Sequence, residues 1–181
     1  MNRTFSPHDR YGYAFQEEPD PETANLLGNT PARWGRMPPL SRLLIVEVGR
    51  FLQQHGLLEQ GGNLGRSGKT VGLIGGTSRG SLSTDLEFAK TLEQGVDLAS
   101  PALFGYTLAN IPLAEAASHY GLIGPVYAII DDDNPLQHAL AECKRHCKHS
   151  EEIDFMLACY FDDLASESEP QQLKITFSIA E

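Results

Sequence analysis

The sequence has few cysteines, no long apolar run and no apolar stretch near its start. Three cysteines in 181 residues cannot form a complete disulfide framework, so we expect reduced thiols. The opening residues, MNRTFSPHDR, lack the apolar region of a secretory signal. Uninterrupted apolar runs, such as residues 43–46, are far shorter than the roughly 20 residues that cross a bilayer. These absences predict a cytoplasmic protein without a membrane span.

Positive charge is also scarce. Lys and Arg total 14 against 24 Asp and Glu, which gives a formal net charge of -10 with neutral histidines. A field of this sign repels phosphate backbones and anionic lipid surfaces. We therefore expect neither a nucleic-acid partner nor a membrane partner.

The chain divides into two parts by pattern. Residues 1–39 are rich in Pro, Asp, Glu and Asn and follow neither a helical nor a strand period, which predicts an irregular amino-terminal arm. Residues 40–181 carry regular apolar patterns and are predicted to form one domain. This domain opens with an amphipathic helix that begins near Leu40, has Ser41 as its cap and ends at Gly56.

Strand and helix patterns then alternate along the domain. Short apolar runs predict buried strands at residues 71–76, 126–130 and 154–161, and period-two alternation predicts an antiparallel strand at 173–179. Helices are predicted at 82–93, across 113–120 and from Pro135 past Cys147, with a loop at 104–110 and a polar linker at 162–172. The fold class is therefore α/β, with a mostly parallel mixed sheet flanked by helices and finished by one antiparallel strand.

Two glycine-rich segments invite nucleotide-binding interpretations that their residues exclude. In GNLGRSGKT, the phosphate-loop pattern requires glycine at position 63, where Asn63 stands, and Lys69 leads into a strand rather than a helix. In GGTSRG, Thr77 occupies the place of the second glycine of the dinucleotide fingerprint. We interpret the second segment as a turn from a strand to a helix.

The cysteines and histidines near residue 145 do not predict a metal site. Cys143 and Cys147 continue the apolar stripe of the preceding helix, where free cysteine behaves as a small buried hydrophobe. His146 and His149 fall at the helix end, near its negative pole. The sequence also lacks the G-x-S-x-G elbow, so a serine hydrolase triad is not indicated.

Four segments in order over residues 34–165 resemble the amino-terminal half of a β-ketoacyl synthase, a condensing enzyme of fatty-acid and polyketide synthesis with the thiolase fold. The segments are WGRMPPLSRLLIVEVGRFLQQHGLL, KTVGLIGGTSRGSLSTDLEFAKTL, SPALFGYTLANIPLAEAASHYGLIGP and HALAECKRHCKHSEEIDFMLACYFDD. The resemblance implies a thiolase-like half-domain. It implies no cofactor and no metal.

The resemblance also locates the family's active site, a sharp turn from a strand to a helix that carries a nucleophilic cysteine. Helix amino termini lower thiol pKa values and present donors to an oxyanion, which explains that placement. The corresponding position here, nine residues after Gly124, is Asp133, and no cysteine lies within two residues of it. The resemblance therefore implies a protein without the catalytic thiol, in which Phe104, Thr107, Asn110 and Pro112 join Asp133 as binding residues.

The acidic triplet at residues 131–133 admits three interpretations. Carboxylates complement the positive end of the following helix, with Asn134 as its cap and Pro135 in its first position. Clustered carboxylates also suit a divalent cation, although three adjacent residues do not all face one ion. In the third interpretation Asp133 replaces the thiol in an acyl pocket without covalent chemistry.

The resemblance implies a function by pairing. It suggests a catalytically silent, chain-length-factor-like protein that forms a homodimer or a heterodimer with a ketosynthase through residues 104–112 and 126–130, with an acyl carrier protein as a further partner. One alternative is an acyltransferase or thioester hydrolase that uses Asp133 or Cys143, although Cys143 lies two turns into its predicted helix. Another is a structural or regulatory domain that has lost its ligands.

Overall fold

The computed structural model describes residues 11–93, 95–164 and 172–180. The strands are β1 (Val71–Thr77), β2 (Val126–Ile130), β3 (Phe155–Leu164) and β4 (Gln172–Ala180). The α-helices are α1 (Pro21–Leu27), α2 (Pro39–Gln54), α3 (Leu82–Glu93), α4 (Pro101–Tyr106), α5 (Ile111–Tyr120) and α6 (Pro135–His149). Short 3₁₀ helices lie at Gly12–Phe15, Trp34–Arg36, Leu64–Ser67 and Val96–Leu98.

The four strands form one sheet in the order β2-β1-β3-β4. Strand β1 is parallel to both β2 and β3, with Leu73 opposite Val126 on one side and opposite Leu157 on the other. Strand β4 is antiparallel to β3. Every residue of β1 is buried, as the apolar run of its first six residues predicts for a central parallel strand. The predicted α/β class, with a mostly parallel sheet and one antiparallel strand, is confirmed.

Helices cover both faces of the sheet. On one face, Ala139 and Cys143 of α6 pack against Ile74, Met156 and Ala158. The start of α6 lies so close to β1 that a Cβ atom at Gly76 would collide with the backbone of Pro135.

Helices α2 and α5 cover the other face within the larger core. They approach closely at Gly49, where a Cβ atom would collide with the Tyr120 hydroxyl group. That hydroxyl donates to the carbonyl of Ile45 at 2.8 Å. None of the helices in the described ranges combines the length and the apolar character that crossing a membrane takes.

The prediction of an irregular arm is wrong for part of residues 11–39. Helix α1 begins there because Asp20 accepts a hydrogen bond from the Thr23 amide at 2.8 Å and Pro21 takes the first helical position. Tyr13 and Trp34 are buried in the same core as α2. The division of the chain at residues 39 and 40 stays a prediction, and residues 1–10 lie outside the described residues.

Three local predictions also need correction. Helix α2 has no side-chain cap, because Ser41 is buried inside its first turn. Residues 104–106 of the predicted loop belong to α4, at whose start the Ser100 hydroxyl accepts from the Leu103 amide at 3.3 Å. Residues 162–164 of the predicted linker belong to β3, whose polar side chains there are buried, whereas residues 165–171 lie outside the described part of the chain.

Candidate functional site

A cleft lies where the parallel strands end. Two cavities of about 370 and 620 Å³ share Ser78, Asp132 and Tyr160 as lining residues, and ligands of open α/β sheets bind at this edge. The lining comes from the turn after β1, from the segment between β2 and α6, and from β3 and β4. The other residues that line the cleft are Arg79, Asp133, Asn134, Pro135, Leu136, Gln137, Asp162, Lys174 and Thr176.

Asp162 fixes the turn after β1. Its Oδ1 atom accepts from the Thr77 hydroxyl at 2.5 Å, from the Ser78 amide at 3.0 Å and from the Arg79 amide at 2.9 Å. Its Oδ2 atom accepts from the Tyr160 hydroxyl at 2.8 Å. Because Asp162 is 1% exposed and four donors meet it, this carboxylate supports the cleft wall rather than offering a free ligand atom.

Tyr160 is held in the cleft by that same contact. Burial, together with the hydrogen bond to Asp162, raises the pKa of Tyr160 to about 12. The phenol therefore stays protonated at neutral pH and is fixed as a donor to Asp162. Its neighbour Asp163, also buried, accepts from the Ser83 hydroxyl at 2.5 Å and so ties the first turn of α3 to β3.

Asp131 holds the turn that leads into helix α6. Its Oδ1 atom accepts from the Asn134 amide at 2.7 Å and from the Asp133 amide at 3.0 Å, and its Oδ2 atom lies 2.7 Å from His138 Nδ1. These contacts, the Asn134 amide above all, hold the pKa of Asp131 below its ordinary value. The predicted cap, Asn134, makes no side-chain capping bond, and the bonds that Asp131 accepts from the Asp133 and Asn134 amides lie in the turn before the helix. Pro135 takes the first helical position, as predicted.

Asp133 is the predicted site residue that lines the cleft. The other four lie elsewhere on helices α4 and α5. Phe104 is exposed on α4 with its ring centroid 5.5 Å from that of Phe88, and Thr107 ends α4 with its hydroxyl donating to the Phe104 carbonyl. Asn110 precedes α5 and Pro112 is buried in its first turn. The joint binding role of these five residues stays a prediction.

The residues that the sequence reasoning missed come from β3, β4 and the turn after β1. Ser78 was within reach, since GGTSRG predicts a turn from a strand to a helix at the carboxyl end of β1. Tyr160 lies near the end of a predicted strand and Asp162 begins the predicted linker, but their meeting with Ser78 depends on the parallel pairing of β1 and β3. Lys174 lines the cleft because β4 pairs with β3, and this pairing places Lys174 opposite Asp162.

The three cysteines, all within the described part of the chain, do not line the cleft. Cys143 is buried on α6, donates to the Leu157 carbonyl at 3.4 Å and has a pKa raised to about 12 by burial. Burial raises the pKa of Cys159 as well, and Cys147 donates to the Ala180 carbonyl at 3.6 Å. All three thiols therefore resist forming the thiolate that nucleophilic catalysis requires. Across the ranges that the structure describes, no group of three or more His, Cys, Asp or Glu side chains could hold a metal ion.

Comparison with known proteins identifies the fold. No family model and no curated protein matches the chain. Among solved structures, the ishigamide ketosynthase/chain length factor matches with a TM-score of 0.64 and 15% identity, over 88% of this chain and 47% of that chain. A ketosynthase (ApeO) in complex with its chain length factor (ApeC) from Xenorhabdus doucetiae matches with a TM-score of 0.55 and 13% identity, over 90% of this chain and 73% of that chain.

These matches define the class of fold. The chain has the thiolase-like half-domain fold of ketosynthase and chain length factor proteins, as the four sequence segments predict. It spans about half the length of the ishigamide protein chain.

Proposed function

We propose that the chain is a catalytically silent, ketosynthase-like subunit, comparable to a chain length factor, that works by pairing with itself or with an active ketosynthase. Its setting would be polyketide or fatty-acid synthesis in the cytoplasm, with an acyl carrier protein as a further partner. The observation that carries the proposal is the corner between β2 and α6, where Asp133 lines the cleft and the lining contains no cysteine.

The chemistry of this corner favours binding over acyl transfer. An aspartate that attacked a thioester would form a mixed anhydride, which is prone to hydrolysis rather than to storage of an acyl group. Asp133 is also exposed, so water has free access to any such adduct. The buried Cys143 thiol offers no substitute, because its proton is bonded to a carbonyl inside the core.

The surface supports pairing at the predicted segments. Strand β2 pairs with β1 on one side and has no second neighbour among the described strands, and Ile130 at its end is 74% exposed. Phe104 and Leu108 expose 60% and 55% of their surface on the other predicted segment. Unpaired strand edges and exposed apolar side chains are both stabilised by a partner that covers them.

Light scattering coupled to size-exclusion chromatography tests the pairing. We expect the full chain to elute as a dimer at micromolar concentration, or as a complex when it is co-expressed with a ketosynthase. Ile130→Lys and Leu108→Lys should each shift the eluted species towards the monomer, because a buried unpaired ammonium group is costly. Leu98→Lys is the matched control, since Leu98 is 65% exposed but lies outside both segments.

A monomer for the unaltered chain, together with no complex with a ketosynthase, would refute pairing. Equal effects of Leu98→Lys and Ile130→Lys would refute the assignment of the surface.

Catalytic silence has its own test. The full chain is incubated with an acyl-thioester donor, and intact-mass analysis and free-thiol release are followed. We expect no acyl adduct and no thioester loss above the buffer rate. An adduct, or thioester loss that Asp133→Asn abolishes, would favour the acyltransferase or hydrolase alternative.

A further inference from the structure

A separate cavity of about 470 Å³ lies in the loop between α2 and β1, within residues 56–69. This loop enters β1 at its amino end, so the cavity lies at the opposite end of β1 from the cleft. Its apolar wall includes Leu58 and Leu64, both buried. Its charged lining consists of Arg66, Lys69 and Glu59.

The uncharged polar groups of this cavity wall already have partners inside the protein. The Asn63 side chain accepts from the Arg66 amide at 3.2 Å and donates to the His119 carbonyl at 3.3 Å. The Ser67 hydroxyl donates to the Leu64 carbonyl at 2.7 Å. A ligand would therefore meet the charged side chains rather than the side chains of Asn63 and Ser67.

The charged lining favours an anion. Arg66 and Lys69 carry positive charge on either side of Gly68, and within the described residues neither side chain makes an ion pair or a hydrogen bond. Glu59 is the one carboxylate in the lining, so the cavity has a net positive charge in a chain whose formal net charge is -10. A guanidinium group matches phosphate oxygens in geometry, and an ammonium group adds a second charge-assisted contact.

We propose that the cavity formed by residues 56–69 binds a phosphate monoester that carries a short apolar group, with Arg66 and Lys69 holding the phosphate and Leu58 and Leu64 contacting the apolar group. The site differs from a phosphate loop, in which backbone amides at a helix start cradle the phosphate. Here the phosphate is held by side chains, so the missing glycine at position 63 is no obstacle. The proposal is independent of the pairing function.

Titration of the full ¹⁵N-labelled chain with n-butyl phosphate tests the site by NMR. We expect saturable shifts of the amide signals of residues 56–69. Arg66→Gln and Lys69→Gln should each weaken binding about tenfold, the scale of one lost charge-assisted contact. Lys90→Gln, which removes one exposed charge from α3, is the matched control and should leave binding unchanged.

Three results would overturn the proposal. The first is no saturable binding in the millimolar range. The second is equal weakening by Lys90→Gln, which marks a general charge effect. The third is shifts concentrated at Ser78 and Tyr160 together with loss of binding in Arg79→Gln, which places the ligand in the cleft. Because Arg66 and Lys69 lie outside both pairing segments, these variants should leave the elution position of the chain unchanged.

Discussion

Helices α2 and α3 differ sharply in how the fold uses them. Helix α2 is buried against the sheet, against α5 and beneath residues 11–37, so that even Ser41 and Arg42 are inaccessible. Helix α3 buries only Ser83 and Thr84 and leaves Leu86 and Leu92 exposed. The comparison indicates that the stability of the fold rests on α2 far more than on α3.

The largest expected effect comes from removing core volume in α2. Leu44 is fully buried, so Leu44→Ala should lower the free energy of unfolding by about 2–5 kcal/mol. Leu86→Ala removes the same atoms from α3, where the side chain is 42% exposed, and should cost about 0.5 kcal/mol or less. Urea unfolding of both variants measures the difference. Similar losses of unfolding free energy in Leu44→Ala and Leu86→Ala would contradict the contrast between the two helices.

Arg42 tests how α2 holds the amino-terminal residues. Its guanidinium group donates to the carbonyls of Trp34, Ala14, Gln16 and Gly35, at 2.8 to 3.2 Å. Arg42→Met leaves these acceptors without their donor and should destabilise the fold by about 2–4 kcal/mol.

Arg42→Lys keeps the charge but has fewer hydrogen-bond donors, so its free energy of unfolding should lie between those of the wild type and Arg42→Met. Limited proteolysis within residues 11–37, measured beside urea unfolding, should follow the same order. Unchanged proteolysis in Arg42→Met would show that these residues are held by packing alone.

The sequence predicts an element well where its pattern is local and poorly where the element depends on long-range contacts. Strands β1 and β2 and helix α3 are predicted correctly because their patterns are local. Helix α1 escapes prediction because seven residues carry little periodicity, and it depends on the Asp20 cap and on the core above α2. Asp162 and Asp163 suggest a linker, since nothing local shows that hydroxyl groups of Thr77 and Ser83 will meet them.

The residues of the candidate site also differ in how far the sequence predicts them. The position of Asp133 follows from counting along the chain after Gly124. Tyr160 and Lys174 reach the cleft beside Ser78 only through the strand order β2-β1-β3-β4, a long-range property that one sequence does not reveal.

A smaller effect is expected where α3 is tied to the sheet. Ser83→Ala removes the donor to Asp163 and should cost about 1–2 kcal/mol, because the carboxylate is buried. Thr91→Ala is a control on the same helix, since the Thr91 hydroxyl donates to the Phe88 carbonyl and accepts from the Ser100 amide at 3.3 Å, and neither bond reaches the sheet. Hydrogen exchange should show faster opening of α3 in Ser83→Ala with α2 unaffected. Equal acceleration in both helices would mean that α3 is not a separate, weakly held element.

The smallest expected effect concerns α6, whose preceding turn is held by the half-buried Asp131. Because the pKa of Asp131 in the folded protein lies below its ordinary value, its carboxylate stabilises the fold at pH values above that ordinary pKa. This contribution is lost as the pH falls through the ordinary pKa towards the lower folded value. Asp131→Asn should therefore lower the urea midpoint at neutral pH and make less difference in acid. Asp132→Asn removes a neighbouring carboxylate that makes none of these hydrogen bonds, so it should change the midpoint little at either pH. An equal loss at neutral pH would show that the net charge before α6, rather than the turn held by Asp131, stabilises the helix.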